Sequence, residues 1–500
     1  MKQSAFRDPE HRPRRVIRGS LLRPELHIAR VVECAGLRHS GRMRQAGGAC
    51  SPELSARCKT KAIGKIILSV LIAYFAHTAD AITLDAVLDR ALEKNPVIQQ
   101  AKSNVEQAAG QRLVLRSIMW PDAKTIVPVG VQGGHRAGES GVKEFGFVRA
   151  FFTQQLLNAA IPASRRLGDV DVLIAQQQLN VAVVEQLHAA RLAFYTALYN
   201  RELQSIEEDQ RQRLEQNVAS QKSRYEAGLA QRSDFVAATV EASELTAAIE
   251  TAKRAREAAR LQLTEVMGEN PTAESSLPEP EGDLHFAPVT LDSQSAAARA
   301  VEQRADLKLA RLVARGSNEQ QRIIAAGYYP AVTGYITGDY IPVSGIHREE
   351  STRRTEDFVG SEAREGARYT WRVIDNGKVS GAAMKQRATR EMNELTCRQL
   401  EANVGRELSR IRDQLSAIEA REKSLAAASA TAEESAKLVA QNLAGGLASQ
   451  FEYRVTQNGF LQTKTGLLTT IYEHNVARAE WDRATGQYFQ FSDDTTASNR

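Results

Sequence analysis

The feature that most constrains this fold is a run without proline from Val170 to Glu226. Within it Leu179, Val183, Leu187, Ala190, Phe194 and Leu198 step by 4, 4, 3, 4 and 4 residues, an apolar stripe one helix face wide. At 1.5 Å per residue the run is roughly 85 Å long. A second stripe, Ile411, Leu415, Ile418, Glu422 and Leu425, steps by 4, 3, 4 and 3. Helices of this length outrun a single globular core and imply coiled-coil packing. The opposite faces are rich in Gln, Glu, Arg and Ser. A solvated outer face and a water-filled lumen both fit those residues.

The first run ends in Tyr225-Glu-Ala-Gly-Leu-Ala-Gln-Arg-Ser-Asp-Phe235, and Leu443-Ala-Gly-Gly-Leu-Ala-Ser-Gln-Phe-Glu-Tyr453 repeats the pattern 218 residues later. In both, a Gly-Leu-Ala triplet breaks the helix, and an acid and an aromatic follow at the same spacing. The same offset carries Gly268 onto Gly486, each ending a returning helix, about 231–267 and 449–485. An offset of 209 aligns Ala91–Ile98 with Ala300–Leu307 and Trp120-Pro121 with Tyr329-Pro330. These registers imply an internal duplication. Glycine at 228 and 446 suits a tight turn that needs positive φ.

After each aromatic-Pro pair the periodicity shortens to two. Thr125–Gln132 and Val332–Tyr340 read as strands, followed by polar loops at Gly133–Gly141 and His347–Gly366. Returning strands are expected near Gly146–Leu157 and Ala367–Ile374. Four strands per chain are too few to close a barrel, so closure needs several chains. A small soluble sheet capping the helices is the other reading.

The net charge of +5 belongs to the leader. Residues 1–81 hold 15 of the 65 Lys/Arg and 6 of the 60 Asp/Glu, so the remainder carries 50 basic and 54 acidic groups, a net of −4. Nothing in that balance favours nucleic acid. Lys59, Lys61 and Lys65 precede the short apolar run Ile66–Phe75, and Ala79-Asp-Ala81 fits a cleavage site, so residues 59–81 read as a signal peptide. A retained anchor is the alternative. Residues 1–58 read as a disordered extension or a start assigned too early. Cys397 is the one cysteine beyond the leader, so no disulfide framework and no lipid-anchor cysteine is expected. The rest divides into a first repeat (82–269), a Pro/Glu linker (270–290), a second repeat (291–486) and a tail (487–500).

Five stretches carry a family resemblance: Ile82–Pro96, Arg224–Leu229 with Ser233-Asp234, Tyr328-Tyr-Pro330, Trp371–Gly377 and Ala479–Gly486. In this order, behind a signal peptide, they make the chain resemble the TolC-like outer-membrane efflux proteins over about residues 82–491. The resemblance implies a mainly α fold with a smaller membrane β part. Three chains giving four strands each would form a twelve-stranded β-barrel, continued across the periplasm of a Gram-negative bacterium by a helical tunnel. It also implies the partners: two further copies, outer-membrane lipid, a periplasmic adaptor (membrane fusion) protein and an inner-membrane pump of RND, ABC or MFS type. Gly228, Leu229, Ala230, Gly446, Leu447 and Ala448 would be the adaptor-docking turns. Asp234 and Glu452 match acidic positions near the tip constriction, where a ring of three carboxylates would favour cations. Both acids also suit the positive end of a helix. The family member whose gate is best described has an arginine where Ala448 falls and a second acid where Val455 falls, so a gate latched by those charges is not expected to carry over.

The function implied is a passive exit duct for efflux or type I secretion. A periplasmic coiled-coil adaptor or scaffold without a pore is the alternative, although such proteins carry one helical hairpin rather than two. His135, His188, His285, His347 and His474 have no ligand spacing, and no phosphate loop or nucleophile elbow occurs, so no enzyme, metal or cofactor is expected.

Overall fold

The computed structural model describes residues 81–136, 139–270, 277–289, 291–340 and 361–491. The extension, the signal peptide up to its last residue and most of the tail lie outside them, as does the core of the polar loop after Tyr340.

The described chain opens with a short strand β1 (Ala81–Ile82), then helices α1 (Leu84–Lys94) and α2 (Pro96–Ser117). Thr83 caps α1, accepting from Ala86 N. Asn95 makes the break between α1 and α2. Its Oδ1 accepts from Val97 N and Ile98 N, and its Nδ2 donates to Gln186 Oε1 (3.0 Å) and Val266 O (2.7 Å). Pro96 fits because the first helical position needs no N–H. The matching position in the second half, Arg304, has the same extended backbone but a different chemistry. It is ion-paired with Asp306 (2.8 Å) and Glu407 (2.6 Å).

Four helices dominate: α3 (Ile161–Glu226, 66 residues), α4 (Arg232–Met267, 36), α7 (Lys378–Ala444, 67) and α8 (Gln450–Thr485, 36). At 1.5 Å per residue α3 and α7 are each about 100 Å long, and α4 and α8 about 54 Å. The return helices therefore cover only one half of each long one. The other half of α3 packs on α2, while α6 (Ala305–Ala325) lies against both α3 and α7. Helix α3 starts before the proline-free run, since Pro162 sits in its first turn at no cost in hydrogen bonds.

Apolar burial follows the stripes. One cluster gathers Val183, Leu187, Phe194 and Leu198 of α3 with Val87, Ile98, Leu263 and Met267. A second gathers Val404, Leu408, Ile411, Leu415 and Ile418 of α7 with Leu307, Trp481 and short α5 (Ser293–Gln303). Helices α4 and α8 both end on left-handed glycines that press against the helix breaks. A Cβ on Gly268 (φ +75°) would lie 2.5 Å from Lys94 O, and one on Gly486 (φ +75°) 3.2 Å from Arg304 N.

Strands β2 (Asp122–Ile126), β5 (Val148–Leu157), β7 (Ala331–Tyr340) and β8 (Ser361–Thr370) form an antiparallel sheet in the order β2-β5-β7-β8. Strands β3 (Val129–Arg136) and β4 (Glu139–Gly146) pair as a separate ribbon beyond Pro128. Two expectations need correction here. Of the stretch expected as a loop at 133–141, residues 133–136 and 139–141 are ribbon, because ladder bonds such as Gly134↔Gly141 need no side chain. Strand β8 lies six residues earlier than expected and ends at Thr370. Its alternating Glu and Arg read as a loop, whereas Trp371–Ile374 only look strand-like.

The segment joining the halves is bound along its described length. Short strand β6 (Glu279–Pro280) pairs parallel with β1, Leu277 is buried, and Arg256 Nη2 holds Glu279 at 2.5 Å. Arg201 Nη1 takes Pro280 O at 2.6 Å.

Candidate functional site

The two turns anticipated from the sequence join α3 to α4 and α7 to α8. Gly228 (φ +74°) and Gly446 (φ +76°) are left-handed in each. The backbone bonds match as well. Gly228 N donates to Tyr225 O (3.0 Å) and Leu229 N to Arg224 O (2.8 Å). Gly446 N donates to Leu443 O (3.1 Å) and Leu447 N to Asn442 O (2.8 Å). This is the double-bond helix stop that a left-handed glycine permits. Each turn aims its leucine outward: Leu229 is 73% exposed and Leu447 84%. Ala230 and Ala448 are only half-buried, and Ala448 packs at the edge of a small cluster of Leu214, Leu443 and Tyr453.

The two acids behave differently. Glu452 closes a capping box: its Oε2 accepts from Ser449 N (2.9 Å), while Glu452 N donates to Ser449 Oγ (3.2 Å). Its carboxylate is thus bound to the turn. Asp234 lies in the first turn of α4, where Gln231 supplies no side-chain cap, and it has no ion-pair partner among the described residues.

Sequence reasoning missed the bond between the turns. Arg224, in the last turn of α3, donates from Nη1 to Leu443 O (2.6 Å) and, more weakly, Ala444 O (3.5 Å). It thereby caps the C-terminal carbonyls of α7 from the other hairpin. Nearby, Glu241 of α4 is buried with Oε1 unpartnered. Burial pushes its carboxyl up, opposed by Arg454 and reinforced by Glu244.

At the other end of the long helices the sheet has two unlike faces. Its register puts Ala123, Val148, Ala150, Phe152, Val332, Ile336, Tyr340, Ala363, Ala367 and Tyr369 on one face, together with the polar Thr125, Gln154 and Ser361 and one charged residue, Glu365. Phe152, Ile336, Tyr340 and Tyr369 of that face are exposed. The other face carries Lys124, Arg149, Thr153, Thr337, Asp339, Glu362, Arg364 and Arg368, with Ile126, Phe151 and Tyr335 among them. There Arg149 pairs with Asp339 and Arg364 with Glu362, each at 2.5 Å, and Arg368 stacks on Tyr335. Exposed aromatics (Trp120, Tyr328, Tyr329, Tyr369 and Trp371) ring the end nearest the helices, and Trp371 Nε1 donates to Tyr328 O (3.3 Å). The sheet is open, so strands β2 and β8 each keep one unpaired edge among the described residues. No helix of these residues is long and apolar enough to cross a membrane, and no group of three or more His, Cys, Asp or Glu among them is arranged to hold a metal. Cys397 is half-buried in α7, 3.9 Å from Glu401 Oε1.

Paired helical hairpins with an open, two-faced sheet at one end make up this fold, and solved outer-membrane channels share it. The fold is that of the TolC-family outer-membrane efflux channels. The outer membrane protein VceC of Vibrio cholerae aligns with a TM-score of 0.69 at 17% identity, over 81% of this chain and 96% of that one. The outer-membrane channel OprN aligns at 0.67 and 14%, over 82% and 91%. The CmeC outer membrane channel of Campylobacter jejuni aligns at 0.68 and 12%, over 83% and 87%. No family model matches the chain, and no curated protein matches it in sequence.

Proposed function

We propose that three copies of this chain form an outer-membrane exit duct that conducts passively. The observation that carries this reading is the sheet. Its apolar face is uncovered and its opposite face is ion-paired, the reverse of a soluble sheet whose apolar side rests on a core. Lipid on the apolar side and water on the charged side satisfy both faces. The exposed aromatics at the helix junction suit a membrane–water interface. Open edges at β2 and β8 need partners, and copies of the same chain supply them in register. A pore-free scaffold would leave both the apolar face and the edges uncovered.

The long hairpins then reach into the periplasm, and their turns are the docking ends. Leu229 and Leu447 serve as exposed apolar knobs for an adaptor protein working with an inner-membrane pump, in an efflux or type I secretion assembly. Gly228, Ala230, Gly446 and Ala448 set the knobs' position, and Asp234 is the acid best placed to line a narrow tip.

Single cysteines in a Cys397→Ser background test the membrane reading. Positions 150, 336 and 363 should resist a water-soluble maleimide in membranes and react after detergent extraction. Positions 153, 337 and 364 should react throughout. Equal labelling of both sets in membranes would overturn the assignment.

A further inference from the structure

His474 of α8 is 1% exposed, and neither ring nitrogen has a hydrogen-bond partner. Its ring lies 4.5 Å from that of Phe286, in the bound segment between the two halves. Its Nε2 is 4.0 Å from Glu419 Oε1 of α7. That same Oε1 accepts the main-chain N–H of Val289, three residues beyond Phe286, at 3.2 Å. Asn475, next along α8, holds His285 O at 3.1 Å, and upstream Glu202 Oε1 of α3 takes Leu284 N at 3.0 Å.

We infer that His474 is a proton-sensitive clasp: in its neutral form it leaves Glu419 free to hold Val289, and in its charged form it takes Glu419 away and releases that end of the segment. One carboxylate oxygen faces two donors. An imidazolium makes the stronger, charge-assisted bond, so it displaces a neutral backbone N–H. Phe286 can stay on the charged ring through a cation–π contact, which confines the release to the Val289 end. The charged and titratable groups around the site come from every packed element. Helix α7 supplies Glu419 and Arg421. Helix α8 supplies Glu473, which pairs with Arg421, and Arg478, one turn beyond His474. The segment itself supplies Asp283 and His285, and Asp283 is paired with Arg201 of α3. Burial holds His474 below its ordinary value of 6.5, Glu419 pulls it up and Arg478 pushes it down. The ring is therefore neutral at pH 7, and the clasp opens only in acid. The inference rests on the fold alone and holds whatever the protein conducts.

Hydrogen exchange of the purified full-length protein tests it, read at Val289 from pH 7.5 to 4.5 and corrected for the intrinsic pH dependence of exchange. In the wild type, protection at Val289 should fall about tenfold in acid, the loss of one ordinary hydrogen bond. The step should lie at higher pH than in His474→Phe, which has no imidazole to compete for Glu419. Glu419→Gln, which removes the charged acceptor, should flatten the curve. Protection at Leu284 reports whether a variant keeps the segment docked; if His474→Phe loses it at pH 7.5, the Glu419→Gln curve decides. Superimposed wild-type and His474→Phe curves, or a full wild-type step in Glu419→Gln, would overturn the proposal.

Discussion

Arg224 Nη1 donates to the main-chain oxygen of Leu443 at 2.6 Å, joining the last turn of α3 to the last turn of α7. The two residues are 219 apart in sequence and belong to different hairpins. The bond satisfies a helix-terminal carbonyl with a cation, which the helix dipole also favours. Replacing Arg224 with Met should cost about 1.5–3 kcal/mol locally, the range for a hydrogen bond to a charged group. Exchange at 443–449 should quicken while the sheet stays protected. Unchanged exchange there would show that the hairpins hold together without it.

The glycines at the helix ends should not respond alike. A Cβ at Gly228 meets nothing within 4 Å, so Gly228→Ala carries only the backbone penalty of about 1–2 kcal/mol. At Gly268 the same Cβ would also strike Lys94 O at 2.5 Å. Gly268→Ala should therefore lower the melting temperature clearly more than Gly228→Ala. Bulk at the turns is a different matter. Gly228→Trp and Gly446→Trp should abolish transport while assembled protein still inserts; normal export by both would remove the docking assignment.

Much of this was open to sequence reasoning, and the rest was not, for physical reasons. The long helices and the two turns are legible because periodicity and glycine act locally. The charged strand β8 is not, because Glu362, Arg364 and Arg368 fall on one face but Glu365 on the other, so no clean apolar–polar alternation marks it. Arg224–Leu443 and His474–Phe286 are set by tertiary packing, and a lone arginine or histidine on a helix announces no partner. The linker's Pro/Glu composition likewise conceals that Arg201, Arg256 and Arg260 bind it down.

Stability should fall in acid through His188. Burial, then Arg483 and Arg191, lowers its pKa from 6.5 to about 4. The folded protein takes this proton less readily than the unfolded chain. The contribution is therefore full above 6.5 and lost as pH falls toward 4. His188→Gln, which can still meet the Tyr488 hydroxyl 3.2 Å from Nδ1, should flatten the melting profile across that window. An unchanged profile would place the acid sensitivity elsewhere.

The two tip acids can be separated. Ser449→Ala should cost about 1 kcal/mol, because Ser449 and Glu452 form the capping box, whereas Glu452→Gln keeps an acceptor for Ser449 N and should lose only the charge at the positive end of α8. Asp234→Asn should leave stability nearly unchanged and reduce cation preference in planar-bilayer recordings. A selectivity change in Glu452→Gln alone would reverse these roles.

Completion of the sheet by other copies within a membrane sets both the mass and the location of the protein in fractionated cells. The protein should be found in the outer membrane and leave detergent extracts as a trimer. A soluble periplasmic monomer or dimer would contradict it, since the four-stranded sheet would then have nothing to close with.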